Sequence, residues 1–326
     1  MIYPTILDNV GNTPFINIKM EDIPNINLFA KLEYYNPTGS VKDRAANYIL
    51  TKCLENKTIN KETTIIESSS GNFGISLASY CKKNRLKFIC VIDPHISPVN
   101  EMIIKSLGTT VIKVKEQDKF GGYLLNRIAK IKELMNQIDN SYWVNQYGNP
   151  LNAEAYYKSL GNEICSELNE DLNYIFLGVS SGGTITGVSQ RIKEQYPNAK
   201  IIAVDIWGSV IFGNPPHKRY IPGIGSSMVP TILKSAFIDE VVMVDEIETI
   251  NHCKELLKSH SIFAGGSSGS VFAAINKYFK ERKLKNNLNV VTIFPDKGER
   301  YCNTVYSEEW CNEFFLKKKE KKEFIV

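Results

Sequence analysis

Lys42 has the clearest chemical promise of any residue in this chain. It stands in the run Asn36-Pro37-Thr38-Gly39-Ser40-Val41-Lys42-Asp43-Arg44. Pro37 and Gly39 make a turn, and Ser40 can cap a helix over residues 41–50. A lysine in a first helical turn meets the positive end of the helix dipole, and Arg44 adds a second cation. Both disfavour the ammonium form. A lysine with a lowered pKa is the kind that forms a Schiff base with an aldehyde. Taken alone, the same residue reads equally as a solvated charge on a surface helix.

Three glycine-rich turns shift that balance. Ser68-Ser69-Ser70-Gly71-Asn72-Phe73-Gly74 lies between a predicted strand and a predicted helix. Serine hydroxyls and backbone N–H groups at a helix start make an anion pocket suited to a carboxylate, and Asn72 can donate to an oxygen held over the turn. Gly178-Val179-Ser180-Ser181-Gly182-Gly183-Thr184 has the same setting. Its small residues admit close backbone approach and Thr184 adds a hydroxyl, which makes a phosphate cradle. It lacks the lysine of a Walker loop and the spacing of a dinucleotide fingerprint, so it fits one terminal phosphate monoester. Gly265-Gly266-Ser267-Ser268-Gly269-Ser270 precedes a predicted helix over 271–279 and would turn a serine toward a polar ring atom. Each turn alone is equally a polar β-to-α connection or a helix cap. Together they supply partners for one aldehyde, one phosphate and one ring nitrogen, the inventory of pyridoxal 5′-phosphate.

The elements that must position these residues alternate along the chain. Predicted strands cover 27–32, 64–67, 87–92, 110–114, 174–179, 200–205, 240–244 and 289–294. Helical patterns fall between them at 74–83, 97–107, 123–135, 184–196 and 248–259. This is the pattern of parallel sheets with crossover helices, an α/β protein. At 326 residues the chain has room for two such domains. A division falls near Tyr147-Gly148-Asn149-Pro150, and the site is expected between the halves.

Composition excludes several classes. Hydrophobic residues make 43% and charged residues 23%, with no run approaching the roughly 18 apolar residues of a membrane helix. The N-terminus lacks the pattern of a signal peptide, so a cytoplasmic address is expected. Net charge is +4, and the excess sits in Lys317-Lys318-Lys319-Glu320-Lys321-Lys322, read as a frayed, solvated tail over 317–326. The rest is near neutral, which speaks against nucleic acid as a partner. The seven cysteines show no CxxC pair, and neither they nor the four histidines have metal-ligand spacing. No metal is expected, and the cysteines are read as reduced packing residues.

The motifs, taken in order, resemble the cysteine synthase and cystathionine β-synthase family, fold type II pyridoxal-phosphate enzymes. The resemblance rests on Gly11-Asn12-Thr13-Pro14, on 37–44, on Ser70-Gly71-Asn72-Phe73-Gly74 and on Ser181-Gly182-Gly183-Thr184. It rests also on Gly223-Ile224-Gly225 and Pro295-Asp296-Lys297-Gly298-Glu299-Arg300-Tyr301, and so spans nearly the whole chain. It implies a tryptophan synthase β-like fold with two three-layer α/β domains and the cofactor between them. The larger domain would comprise 1–35 and 150–326, and a smaller, mobile one 36–149. The resemblance makes Lys42 the Schiff-base residue, and Asn72 the donor to the cofactor's phenolic oxygen. Ser180, Ser181, Gly182, Gly183 and Thr184 would hold the phosphate, and Ser267 would meet the pyridine nitrogen. Ser68, Ser69, Ser70 and Asn72 would hold the substrate carboxylate, with Gln146, Tyr147, Arg127 and Gly223 also lining the substrate. A neutral serine at the ring leaves a weaker electron sink than aspartate would, which suits β-elimination and replacement. Family members are usually homodimers.

Departures from the family's pattern bear on substrate. Ordinary O-acetylserine sulfhydrylases carry Met-Ser-x-Glu-Arg-Arg where this chain reads Ile96-Ser97-Pro98-Val99-Asn100-Glu101. Their Gln-Phe-x-Asn-Pro becomes Gln146-Tyr147-Gly148-Asn149-Pro150, and Ser180 replaces a glycine. Arg127 follows Gly121-Gly122-Tyr123, and His217-Lys218-Arg219 precedes Pro222. Added cations and hydroxyls favour a charged leaving group such as phosphate over acetate. With the run Gly208-Ser209-Val210-Ile211-Phe212-Gly213, these features resemble a branch that joins O-phospho-L-serine to L-glutamate through an α-aminoacrylate. The product, N-(2-amino-2-carboxyethyl)-L-glutamate, is a 2,3-diaminopropionate precursor for siderophores and peptide antibiotics. A cysteine synthase using sulfide is the alternative. A nucleotide-binding oxidoreductase would need the missing fingerprint, and a non-catalytic scaffold would have no use for an intact Lys42.

Overall fold

The chain builds two sheets, and the site residues gather at strand ends of both. The computed structural model describes residues 2–118, 122–280, 282 and 287–323, the last six of them as backbone only. Its strands are β1 (Phe15–Lys19), β2 (Ile26–Leu32), β3 (Thr64–Ser68), β4 (Lys87–Ile92), β5 (Thr110–Lys113), β6 (Ser141–Trp143), β7 (Tyr174–Gly178), β8 (Lys200–Ile206), β9 (Glu240–Val244) and β10 (Leu288–Phe294). One sheet has the order β1-β2-β10-β7-β8-β9 and the other β5-β4-β3-β6. All pairings are parallel except β1 with β2. The four-stranded sheet is a sequence excursion between β2 and β7. Its central strand β3 is buried throughout, as expected of a parallel strand covered by helices on both faces.

Helices connect the strands: α1 (Lys42–Glu55), α2 (Asn72–Asn84), α3 (Pro98–Ser106), α4 (Leu124–Gln137), α5 (Pro150–Tyr156), α6 (Asn162–Glu167), α7 (Gly183–Gln195), α8 (Glu246–His260), α9 (Gly266–Phe279) and α10 (Glu308–Glu323). The predicted strands all form, within a residue or two at each end. Neither β1 nor β6 is anticipated by the sequence pattern. One is a half-exposed edge strand and the other only three residues long, too short for a period to register. Two further expectations are corrected. The lysine-rich tail, expected to be frayed, is helical as far as Glu323, and the rest of that expectation, 324–326, lies outside the described residues. The third glycine-rich segment is the first turn of α9, which starts at Gly266 rather than at Val271.

A cluster of charged side chains lies at the base of α1. Lys31, Glu33 and Arg44 are all but fully buried. The Arg44 guanidinium donates to Glu33 at 2.6 and 2.8 Å and to Glu163 at 2.6 and 2.7 Å. Lys31 pairs with Glu163 at 3.1 Å and Glu167 at 2.8 Å, and Thr13 donates to Glu33 at 2.6 Å. Burial by itself would raise the Glu163 carboxyl, but Arg44, the Asn12 N–H and Lys31 outweigh it and hold the group down at about 2. The cluster ties β2, α1 and α6 together just behind the lysine.

Candidate active site

The start of α1 is pinned by backbone bonds to the end of β10. Val41 N–H donates to Pro295 O at 2.9 Å, and Ser40 forms an isolated bridge with Asp296. Lys42 is the first helical residue, and Val41, not Ser40, holds the cap position. Ser40 still accepts weakly, its hydroxyl 3.4 Å from Lys42 N–H. Lys42 Nζ donates to Ser181 Oγ at 3.2 Å, which carries the amine from α1 to the second glycine-rich turn. Lys42 is half-buried in its own surface, and protein surrounds its amine. This burial lowers the amine to about 8, against the opposing pull of Asp296. Arg44 plays no part, because its guanidinium is committed to Glu33 and Glu163. The cause inferred from sequence is therefore replaced by desolvation.

A lysine at about 8 is half neutral near that pH. Labelling of apoprotein with an amine-reactive reagent, followed residue by residue by peptide mass spectrometry, is expected to show Lys42 reactivity rising through pH 8 and then levelling. Exposed lysines should go on rising past pH 10. A Lys42 profile that tracks the exposed lysines would contradict the assignment.

The first glycine-rich turn divides its labour. Ser69 Oγ accepts from Gly74 N–H at 2.9 Å and from Gly71 N–H at 3.4 Å, so it is spent on holding the start of α2. Ser68 Oγ is buried and has no partner. Ser70 Oγ donates to Asp93 at 3.0 Å and accepts from Arg127 Nη1 at 3.0 Å, while Arg127 pairs with Asp93 at 3.1 Å. Arg127 thus reaches the turn from α4, although Gly121 before that helix is outside the described residues. Its Nε is buried without a partner.

Under the turn lies Glu67, a residue the sequence reading passed over. It accepts from Ser68 N–H at 2.7 Å, Gln146 N–H at 3.1 Å and Trp143 Nε1 at 3.3 Å. Burial nevertheless raises it to about 7. Gln146 Nε2 donates to Ser68 O at 3.1 Å, so the end of β3 and the segment after β6 are doubly tied. Tyr147 follows. Its phenol is pushed up by burial, with Arg127 and Arg219 close enough to oppose this.

The second and third turns face the lysine. Gly182 has φ +85° and caps α7, whose first N–H groups have no partner within the helix. Ser181 accepts from Lys42, and Ser180 Oγ donates to Gly225 O at 3.1 Å. Gly223, at φ +97°, is glycine for two reasons. Its conformation is left-handed, and a β-carbon there would lie 3.1 Å from Tyr301 Oη and 3.8 Å from Ser267 Oγ. Ser267 therefore lies across from Gly223 at the start of α9. Asn72 Nδ2 donates to Asp296 Oδ2 at 2.7 Å, and Tyr301 Oη donates to the same oxygen at 2.9 Å. Arg300 donates to Asn72 Oδ1 and to Thr38 O. The structure so gathers Lys42, Asn72, Ser181, Gly223 and Ser267 around Asp296. It sets Ser70, Arg127, Gln146 and Tyr147 on the side of the smaller sheet. Asp296 and Arg300 belong to a run quoted for its resemblance, but no role was read into them.

Known proteins resemble this chain over most of its length. A family model described as "Pyridoxal-phosphate dependent enzyme" matches residues 6–296. The O-acetylserine dependent cystathionine beta-synthase from Helicobacter pylori is 35% identical, with a TM-score of 0.88 over 94% of this chain and 100% of that one. A hydrogen sulfide-producing enzyme from Fusobacterium nucleatum is 29% identical, with a TM-score of 0.84 over 92% and 100%. O-ureido-L-serine synthase is 26% identical, with a TM-score of 0.84 over 93% and 95%. Among the described residues no helix is long and apolar enough to cross a membrane, and no group of His, Cys, Asp and Glu side chains could hold a metal ion.

Proposed function

The chain belongs to the pyridoxal-phosphate-dependent enzyme family, and we propose that within it this protein joins O-phospho-L-serine to L-glutamate, releasing phosphate and N-(2-amino-2-carboxyethyl)-L-glutamate. Pyridoxal 5′-phosphate is its cofactor, and β-replacement its type of reaction. The residues fit that group. An amine lowered to about 8 stands ready for an aldehyde, the start of α7 offers hydroxyls and N–H groups to a phosphate, and Gly223 leaves Ser267 and Tyr301 without a β-carbon against them. When bound, the cofactor supplies a carbonyl for an amino group and a conjugated ring that takes up the electrons of a broken Cα–H bond.

The chain's own residues do the rest. Lys42 would anchor the cofactor, the loop from Ser180 to Thr184 would grip its phosphate, and Ser267 would face its ring nitrogen. Lys42 Nζ, lowered to about 8, has a substantial neutral fraction near that pH, and in that form it can take a proton from the substrate Cα and then return it. The N–H groups at the start of α2 offer donors to the substrate carboxylate. Closure of the smaller sheet against the larger would keep water from competing with the amine of glutamate.

The observation that supports phosphate as leaving group is Arg127. It is 12% exposed, directed at Ser70 and left with an unpaired Nε. A phosphate or a second carboxylate would complete that guanidinium. A second reading has its own support, since Asp93 already offsets the charge of Arg127. That offset would favour a neutral ester such as O-acetyl-L-serine. Incubating the holoenzyme with either ester and with L-glutamate, L-homocysteine or sulfide, and weighing the products by mass spectrometry, decides between them. Fastest turnover is expected with O-phospho-L-serine and L-glutamate. Faster formation of cysteine or cystathionine would overturn the reading.

A further inference from the structure

The side-chain amide of Asn72 is held at both ends. Its oxygen accepts from Arg300, a side chain that can only donate. Its nitrogen donates to Asp296 Oδ2 at 2.7 Å. An asparagine can turn its amide over and exchange O for N, and which way it lies is set by its partners. Here the two partners demand the same orientation, because turning the amide over would set N–H against the guanidinium. One N–H of Nδ2 is left without a protein partner among the described residues, and Asn72 is only partly buried.

Both partners are themselves fixed. Asp296 is 1% exposed, is held at Oδ2 by Tyr301 at 2.9 Å, and joins the backbone of Ser40 and Gly265. Arg300 spans from Asn72 to the carbonyl of Thr38, four residues before Lys42. Thr38 in turn donates its N–H to Asp43 at 2.6 Å. One guanidinium thus holds the turn leading to the lysine and the first residue of α2 in a common frame.

We propose that Arg300 and Asp296 are positioning residues that lock the amide of Asn72 in the orientation that presents an N–H to the cofactor. This rests on reading Asn72 as the donor to the cofactor's ring oxygen. Arg300 touches neither substrate nor cofactor in this account; it acts through Asn72, besides bracing the turn at Thr38. With the guanidinium removed only Asp296 would still hold the amide, and a turned-over orientation that presents an oxygen to the ring oxygen would become populated.

The test compares Asn72→Ala, Arg300→Met and Arg300→Lys as holoenzymes. Two readouts are the visible absorbance of bound pyridoxal 5′-phosphate and the cofactor concentration needed for half-saturation, with Tm as the measure of fold. Loss of a donor at the ring oxygen should move intensity to shorter wavelength. Asn72→Ala is expected to do this and to weaken retention about tenfold. Arg300→Met should shift the spectrum in the same sense and weaken retention several-fold. Arg300→Lys keeps a donor and should fall between parent and Arg300→Met. If Asn72→Ala changes the spectrum and neither Arg300 variant does, the positioning proposal fails and the reading of Asn72 stands. If Asn72→Ala leaves the spectrum unchanged, that reading fails and the proposal with it. Should Arg300→Met not fold, Arg300→Lys carries the comparison, and a parent-like spectrum in it overturns the proposal.

Discussion

Lys42→Ala is expected to lower the rate of β-replacement by at least about 10²–10⁴-fold while leaving the protein folded. Loss of a proton-transfer group alone costs a factor of that order, and the same side chain is the one the cofactor would be attached to. Stability should not suffer. The amine is lowered to about 8 by burial, so its charged form is unfavourable where it stands. Only one bond, to Ser181 at 3.2 Å, is lost. Product formation by mass spectrometry and thermal denaturation in parallel make the check. Turnover within tenfold of the parent would remove Lys42 from the centre of the chemistry.

Arg44→Ala is expected to act on the fold instead, with a cost of about 3–5 kcal/mol. Removing one member of a buried ion pair strands its partners, and the stranded charge rather than the lost attraction dominates the penalty. Arg44 makes four hydrogen bonds of 2.6–2.8 Å to Glu33 and Glu163, and Glu33 is fully buried. Lys31 would remain to answer Glu163 and Glu167, but Glu33 would have only Thr13 and Asn36 as donors. Lys52→Ala is the matched control. Its pair with Glu55 is exposed, 41% and 56% at the two side chains, and such pairs contribute less than about 1 kcal/mol. Denaturant midpoints of the two variants should differ accordingly. A loss under about 1 kcal/mol for Arg44→Ala would mean that the cluster relaxes or takes up water. The pH dependence carries a sign as well. Glu163 is held down at about 2 by its partners, so its contribution is present above the ordinary glutamate range and is lost as pH falls through that window toward 2.

The residues that form the site were legible in sequence because chemistry of this kind needs small residues at strand-to-helix turns, and such turns stand out. The strand β3, a helix start within two residues of Asn72 and the turn from Gly178 to Thr184 could all be found from local pattern. Partners distant in sequence could not. Arg44 read as a cation acting on its neighbour Lys42, yet its own partners are Glu33 and Glu163, and nothing local points to a glutamate 119 residues away. Ser69 read as a ligand group and turned out to hold a helix start, because serine serves both purposes and only geometry separates them. Glu67 gave no signal at all, since one glutamate at the end of a strand is unremarkable until its burial is known. Asp296 and Arg300 had a signal, the run Pro295 to Tyr301, in which these two turn inward while Lys297 and Glu299 stay exposed.

The pairing of β2 with β10 has a bearing on how the protein comes to be made. Asn27 and Asn289 lie side by side although 262 residues separate them. On the ribosome, at roughly 5–20 residues per second, the β1–β2 hairpin must wait between about ten seconds and a minute for its neighbour. The four-stranded sheet needs no such delay, since all its strands and their connecting helices lie within one continuous stretch. Such long-range pairing is intrinsically slow to form. The larger sheet is therefore completed after the smaller one, and the Lys42 helix, pinned to the end of β10, takes its working position only once Pro295 has been synthesised.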